Sequence, residues 1–242
     1  MKRVPASVLA ALAKYDSATV QNAAILVRGY APEYDDYSGP EIRCLLPEFG
    51  VLVGYAVTAE LTPLHDQPHR LKWDDYYDSI AYAGAPAIAV LKDADNPPGR
   101  GAIFGDGMAY RHRALGCLGA VVDGSVRDVE GIRKAKCGLW ARFRVPGHGP
   151  FNIVRHDEPV SVAGLLVRPG DILVCDADGV TRVPPEIAAD VAKKCAQVRK
   201  NERTMHEYFS QPGFTLKNYE AWKKGQKGLA PRVPSPAGRG SG

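Results

Sequence analysis

The chain is predicted to be an α/β protein built on a largely parallel sheet, and three observations carry that expectation. Between residues 85 and 145 short apolar runs (87–91, 102–104, 119–122 and 139–145) alternate with helical patterns, among them 107–116 and 128–135. Such alternation marks βαβ units, in which a crossover helix returns the chain to a parallel strand. After Gly147 the pattern shortens to small β-runs parted by Pro-Gly and Asp-Gly turns, which predicts a small β-meander or barrel-like edge. A long helix over 186–209 follows, with Pro184-Pro185 at its opening, where helices accept proline.

Taken in order, residues 5–27 read as two short helices. Asp16 and Ser17 are candidate caps for the second, at 18–26, because a short oxygen-bearing side chain satisfies the unpaired N–H groups of a helix start. Residues 30–48 are rich in Tyr, Asp, Pro and Gly without a period and read as a long surface or interface loop. The stretch 51–61 is β-branched and strand-like. Over 72–83, Trp73, Tyr76, Tyr77, Ile80 and Ala81 recur at helical spacing. The later β-runs lie at 159–162, 165–167, 171–175 and 180–183. From about residue 226 the chain is rich in Gly, Pro, Arg and Ser and is expected to be disordered. Residues 1–225 thus read as a single domain with a helical extension at 1–27, and 226–242 as a tail.

Composition excludes several classes. With 242 residues, 45% apolar and 24% charged, the chain has enough apolar side chains for a sizeable core. A net charge of +4 is too mild to imply nucleic acid. No run approaches the roughly 18 apolar residues that a membrane helix needs. Lys14 and Asp16 break the apolar patch at 8–12 too soon for a secretory signal. Five cysteines, widely spaced and without a Cys-x-x-Cys pair, indicate neither a disulfide framework nor a zinc site. Buried reduced thiols in a cytoplasmic protein are the expectation.

The chemistry-bearing stretch is Gly119-Ala120-Val121-Val122-Asp123-Gly124-Ser125-Val126-Arg127-Asp128. An apolar run ends in a Gly-containing turn and presents an arginine beside an aspartate where a helix begins. Asp106 ends an earlier apolar run in the same manner. Each has two readings. Asp128 either caps the following helix, with Arg127 in a surface ion pair, or the two hold a divalent cation and a carboxylate. Gly105-Asp106-Gly107 is either a plain strand-to-helix turn or one whose Gly107 and Met108 amides face an anion. With Tyr110 where a third glycine belongs, it is a poor dinucleotide fingerprint. Asp123-Gly124 admits a turn, and Asp123 also falls near the spacing of a ribose-binding acid. Asp176-Ala177-Asp178-Gly179 lacks the further ligands of a calcium loop and reads as a hairpin turn. His148 and His156 match no metal spacing and read as surface or supporting groups. Glu202 lies among Lys200, Asn201 and Arg203 and reads by default as a solvated charge.

Together these residues resemble a family. Gly105-Asp106, then Ala114-x-Gly116-x-x-Gly119-x-Val121-x-Asp123-Gly124-x-Val126-Arg127-Asp128, is similar to the core of the RraA-like superfamily. The downstream residues Pro159-Val160, Ala163-Gly164, Pro169-Gly170-Asp171, Asp176-x-Asp178-Gly179-Val180 and Val183-Pro184 follow in the same order, so the resemblance spans about residues 15–205. It implies a compact α/β/β sandwich with a C-terminal helix, assembled as a homotrimer or hexamer with sites at subunit interfaces. It also implies a class II pyruvate aldolase acting on 4-hydroxy-4-methyl-2-oxoglutarate or a related 2-oxo acid. Carried over by residue, Asp128 would ligate Mg²⁺ or Mn²⁺, and Arg127 would contact the carboxylate and keto oxygens of the substrate. Asp106 would hold metal-bound water, the Gly107 and Met108 amides would bind the substrate carboxylate, and Glu202 would reach a neighbouring subunit's site.

The expected reaction is a metal-dependent retro-aldol cleavage releasing pyruvate, with water oriented by Asp106 taking the C4 hydroxyl proton and with oxaloacetate decarboxylation as a side activity. No lysine has a clear Schiff-base setting. Two other readings stand beside it: a non-catalytic regulator that binds a ribonuclease, and a metal–enolate lyase for another 2-oxo or sugar acid. The N-terminal extension, a loop near 62–71 and the basic tail weaken the regulator reading. Arg111, Arg113, Arg142, Arg144 and His148 are all possible partners for a distal carboxylate.

Overall fold

The computed structural model describes residues 3–29, 36–64 and 71–225; the expected tail at 226–242 and parts of the loops at 30–48 and 62–71 lie outside them. The sheet is built around strand β2 (Leu52–Thr62), whose residues are buried on both faces from Val53 onward. A strand buried on both sides needs a layer above and a layer below. Strand β2 pairs in parallel with β3 (Ala87–Asp93), and β3 with β5 (Cys117–Val126). Strand β5 in turn pairs in parallel with β4 (Ala102–Phe104) and β6 (Gly138–Arg144). Helices α3 (Trp73–Ala83), α4 (Asp106–Ala114) and α5 (Val129–Lys134) connect them, which is the predicted βαβ succession.

The later strands divide. Strand β10 (Ile172–Cys175) adds antiparallel to β2 and carries β11 (Val180–Val183) at its outer side, so this pair extends the main sheet. Strands β8 (Val160–Val162) and β9 (Leu165–Val167) form a separate hairpin. The expected single meander is therefore split between two sheets. Strands β1 (Arg43–Cys44), on β6, and β7 (Asn152–His156), on the end of β2, complete the main sheet.

Alternation along β2 sets the layers. Val57 and Leu61 face Tyr76, Ile80 and Ile132 of helices α3 and α5. On the same face Val53 meets α1 (Ala6–Leu12), α2 (Ser17–Arg28) and α6 (Ala188–Phe209) through Leu12, Val20 and Val191. Ala56 points the other way, with Ile88 and Val121, onto Val162 and Leu165 of the hairpin. Helices, main sheet and hairpin make the α/β/β order, a mixed α/β fold with a curled sheet and C-terminal helices.

Several expectations shift. Helices α1 and α2 are part of the core rather than an appendage. Asp16 caps α2, its carboxylate accepting the Thr19 N–H at 2.7 Å, so the helix starts one residue earlier than expected. Helix α6 starts at Ala188, after an Ile187 cap, and not at 186. A residue followed by proline is pushed out of the helical region, and Pro184-Pro185 therefore precede the helix rather than open it. Strand β7 and helix α7 (Leu216–Gly225) have no counterpart among the elements the sequence predicts. All five cysteines are free thiols and four are buried; burial pushes Cys137 up to about 12 and Cys195 up to about 11. Among the described residues no helix is long and apolar enough to cross a membrane.

Candidate active site

The parallel pairing of β4 with β5 assembles the site. Phe104 lies opposite Val126, so the two chains leave the sheet side by side, and the Arg127 N–H donates to the Phe104 carbonyl at 3.0 Å. The turn that begins α4 therefore sits against the turn that begins α5. Strand ends of this kind are where open α/β sheets place their ligands. Gly105 lies against both side chains of the second turn: a Cβ there would stand 3.3 Å from Asp128 Oδ2 and 3.4 Å from Arg127 Nε.

A cavity of about 250 Å³ opens at this junction. Gly105, Asp106, Gly107 and Met108 line it from α4, and Arg127 and Asp128 from the α5 turn; Ala102, Phe104, His148 and Phe151 complete the wall. Asp106, Gly107, Met108, Arg127 and Asp128 are thus brought together. At the start of α4 the first N–H groups have no partner within the helix, which suits the Gly107 and Met108 amides to an anion. Asp106 packs against α5, where a Cβ on Gly131 would stand 2.5 Å from Asp106 Cβ. Gly131 belongs to no motif singled out in the sequence, although a glycine inside a helical pattern is itself a signal of close packing.

Asp128 is the decisive residue locally. Its backbone is left-handed, φ 55° and ψ 39°, and its side chain makes no cap hydrogen bond to α5. The capping reading of Asp128 therefore does not hold. Its carboxylate lies 3.2 Å from Arg127 Nε, and both side chains are partly exposed. Among the described residues no group of three or more His, Cys, Asp or Glu is arranged to hold a metal. What the cavity offers is two carboxylates, hard oxygen donors that fit an ion such as Mg²⁺, which keeps most of its water.

Glu202 does not line this cavity; on α6 its recorded partner is Arg199, at 3.5 Å, and α6 packs on α1 and α2. Of the five cations that could meet a distal carboxylate, His148 alone lines it. Arg111 lies over the Tyr77 ring, Arg113 donates to the Cys117 carbonyl and Arg142 pairs with Asp123. Asp123 lies within β5, and its other oxygen accepts the Ala163 N–H at 2.8 Å, so it braces the hairpin layer rather than a ribose. Asp176 accepts the Ser17 N–H and hydroxyl and the Asp178 N–H, so it ties its turn to the start of α2. A larger cavity of about 440 Å³ lies where β2, β3 and β5 end. Lys92 and Arg155 pair there with Glu60 and Arg142 with Asp123, while Asp93, also in its wall, accepts the Asp95 and Gly99 N–H groups.

The fold and this arrangement define an RraA-like protein: residues 27–182 match the family described as RraA-like, Aldolase/RraA, and the chain belongs to it. Among its relatives is an uncharacterized protein of Methanocaldococcus jannaschii, 32% identical over 107 residues, covering 44% of this chain and 51% of that protein. The 4-hydroxy-4-methyl-2-oxoglutarate aldolase of Thermus thermophilus is 34% identical over 91 residues, covering 35% and 52%. The matched part therefore spans about half the length of these curated relatives. Of solved structures, an uncharacterized protein from Pseudomonas syringae superposes with a TM-score of 0.73 at 24% identity, covering 91% of this chain and 96% of that one. Streptomyces coelicolor RraAS2, described as an unusual member of the RNase ES inhibitor RraA protein family, gives 0.67 at 22% identity, covering 85% and 98%.

Proposed function

We propose that the chain is a divalent-metal-dependent carbon–carbon lyase that cleaves a 4-hydroxy-2-oxo acid to release pyruvate. The observation that carries this reading is the shared cavity of Asp106, Arg127 and Asp128, with Asp128 held in a left-handed conformation that serves no helix cap. Similarity to a protein named as an aldolase supports the same class. In this reading the Gly107 and Met108 amides bind the substrate carboxylate at the positive end of α4. Arg127 grips the carboxylate and keto oxygens and holds a fixed positive charge where negative charge grows. Asp128 holds Mg²⁺ or Mn²⁺, which when bound supplies Lewis-acid stabilisation at that oxygen. Asp106 orients water at the cavity mouth. Glu202, which does not line the cavity of its own chain, acts on the site of a neighbouring subunit in a homotrimer or hexamer.

The same electron redistribution follows loss of carbon dioxide from oxaloacetate, so that decarboxylation accompanies cleavage. The test is a coupled pyruvate assay over a panel of 4-hydroxy-2-oxo acids and oxaloacetate, with Mg²⁺ and with EDTA. Pyruvate release that EDTA removes is expected. Arg127→Lys is expected to lose at least about tenfold in kcat, because an ammonium cannot reproduce a two-pronged contact. Near-wild-type turnover in that variant would discard the assignment.

A further inference from the structure

The lining of the strand-end cavity is of two kinds. In the lyase reading the polar groups of Asp106, Gly107, Arg127 and Asp128 are taken up by the pyruvoyl oxygens, the metal and its water. Whatever the substrate carries beyond C4 meets the remainder, which is mostly apolar: Ala102, Phe104, Met108 and Phe151, with His148. Phe151 is fixed by three constraints. Its ring stacks on Trp73 with centroids 4.9 Å apart and planes at 24°, and Trp73 in turn lies 5.9 Å from the Tyr77 ring. Its N–H donates to the Pro63 carbonyl at 3.2 Å. Its φ is 63°, a region that a bulky L-residue enters only where its surroundings enforce it.

A second carboxylate on the substrate finds no built partner there. Among the described residues Arg127 is the one arginine or lysine of the lining, and it already faces Asp128. His148 is exposed, and a contact with an exposed charge is screened by water. Asp106 and Asp128 add two negative charges of their own, which repel another carboxylate close by. An apolar group meets none of these costs and gains contact with Phe151 and Met108.

We infer that the substrate is a 4-hydroxy-2-oxo monocarboxylic acid with an apolar group on C4, and that Phe151 selects it; the inference rests on the lyase reading above. Cleavage breaks the C3–C4 bond, and the hydroxyl proton passes by way of water to C3 of the released pyruvate. The O–H electron pair becomes the second bond of a carbonyl product that carries the apolar group. Nothing is oxidised or reduced, and no further reactant is consumed. Oxaloacetate remains open to the side reaction, since its second carboxylate departs as neutral carbon dioxide.

Two pairs of compounds of matched shape separate charge from size. In 4-hydroxy-5-methyl-2-oxohexanoate an isopropyl group replaces the second carboxylate of 4-hydroxy-2-oxoglutarate. The acids 5-methyl-2-oxohexanoate and 2-oxoglutarate differ in the same way but lack the hydroxyl, so they inhibit without being cleaved. Pyruvate release from the first pair, and its inhibition by the second, are measured with Mg²⁺ for the full chain, for Phe151→Leu and for Phe151→Lys. In the wild type and F151L, kcat/KM is expected to be at least about tenfold higher for the isopropyl acid, and its analogue to inhibit at least about tenfold more tightly. F151K is expected to narrow both ratios by at least about tenfold and to gain in its use of the dicarboxylate. Loss of the Trp73 stack alone would weaken both acids together. Wild-type protein that takes the dicarboxylates as well as their apolar counterparts, or a folded F151K with unchanged ratios, overturns the inference while the lyase reading stands. If F151K does not fold, the two wild-type ratios decide. Wild-type protein that releases no pyruvate from hydroxy acids of either kind removes both readings.

Discussion

Asp128 adopts a backbone conformation that L-residues avoid, because the left-handed region crowds Cβ against the carbonyl oxygen. Strain of this kind is kept where the surroundings enforce it, and here its result is a carboxylate turned to Arg127 and the cavity instead of to the N–H groups of α5. Glycine occupies the same region without that penalty. Asp128→Gly is therefore expected to match the wild type in stability or exceed it by up to about 1 kcal/mol, while metal-dependent turnover falls to background. Urea denaturation beside the pyruvate assay checks this. An Asp128→Gly protein that is much less stable would mean that the carboxylate supports the fold. The Arg127-Asp128 pair and Asp106 were visible in the sequence as residue types at strand ends. His148 was visible only as one of five cations, since spacing along the chain carries no information on which of them a loop folds back to the same cavity.

At the scale of elements, the helices show how local chemistry and packing divide the work. Asp16 satisfies the Thr19 N–H and also pairs with Arg199 of α6. Burial alone would raise its carboxyl, but the Thr19 hydrogen bonds and the Arg199 charge outweigh it and hold the group below its ordinary 3.8. A lowered carboxylate stabilises the fold above the unfolded value and loses that contribution as the pH falls through the folded one. Asp16→Ala is expected to cost about 1 kcal/mol at pH 7, typical of a lost cap. The difference should shrink as the pH falls below 3.8 and through the lowered folded value, where the wild type loses the charge that the variant lacks. A pH-independent difference in denaturation midpoint would assign the loss to packing instead. The cap, the amphipathic face of α3 and the parallel strands were legible because each depends on neighbours a few residues away. Strand β7 was not, because its partner is the far end of β2, and neither was the division of the late β-runs between two sheets.

For the molecule as a whole, the buried polar relay behind the site links folding to pH. His112 is fully buried under α3; Met108 O takes its Nδ1 hydrogen at 2.8 Å and Tyr76 donates to Nε2 at 2.8 Å. Burial, helped by the Arg111 charge and opposed by the Met108 carbonyl, lowers its pKa from 6.5 to about 4. Between those values the unfolded chain holds a proton that the folded one refuses, so stability declines as the pH is lowered through that window. The whole change is roughly 3 kcal/mol. Chemical denaturation from pH 7 to pH 4 should show this slope in the wild type and a flatter one in His112→Gln; identical slopes would place the titration elsewhere.

Read as a string, the chain already specified an α/β class, the order of its main helices and strands, and the motif that marks an RraA-like protein. Each of these follows from periodicity or from residues close together in sequence. Folding alone supplied the neighbouring of β4 and β5, the left-handed turn at Asp128, the glycine contact beneath Asp106, and the return of His148 to the same cavity. These depend on which strands lie side by side and on close approach between distant segments, and those are set by burial over the whole sheet rather than by any local pattern.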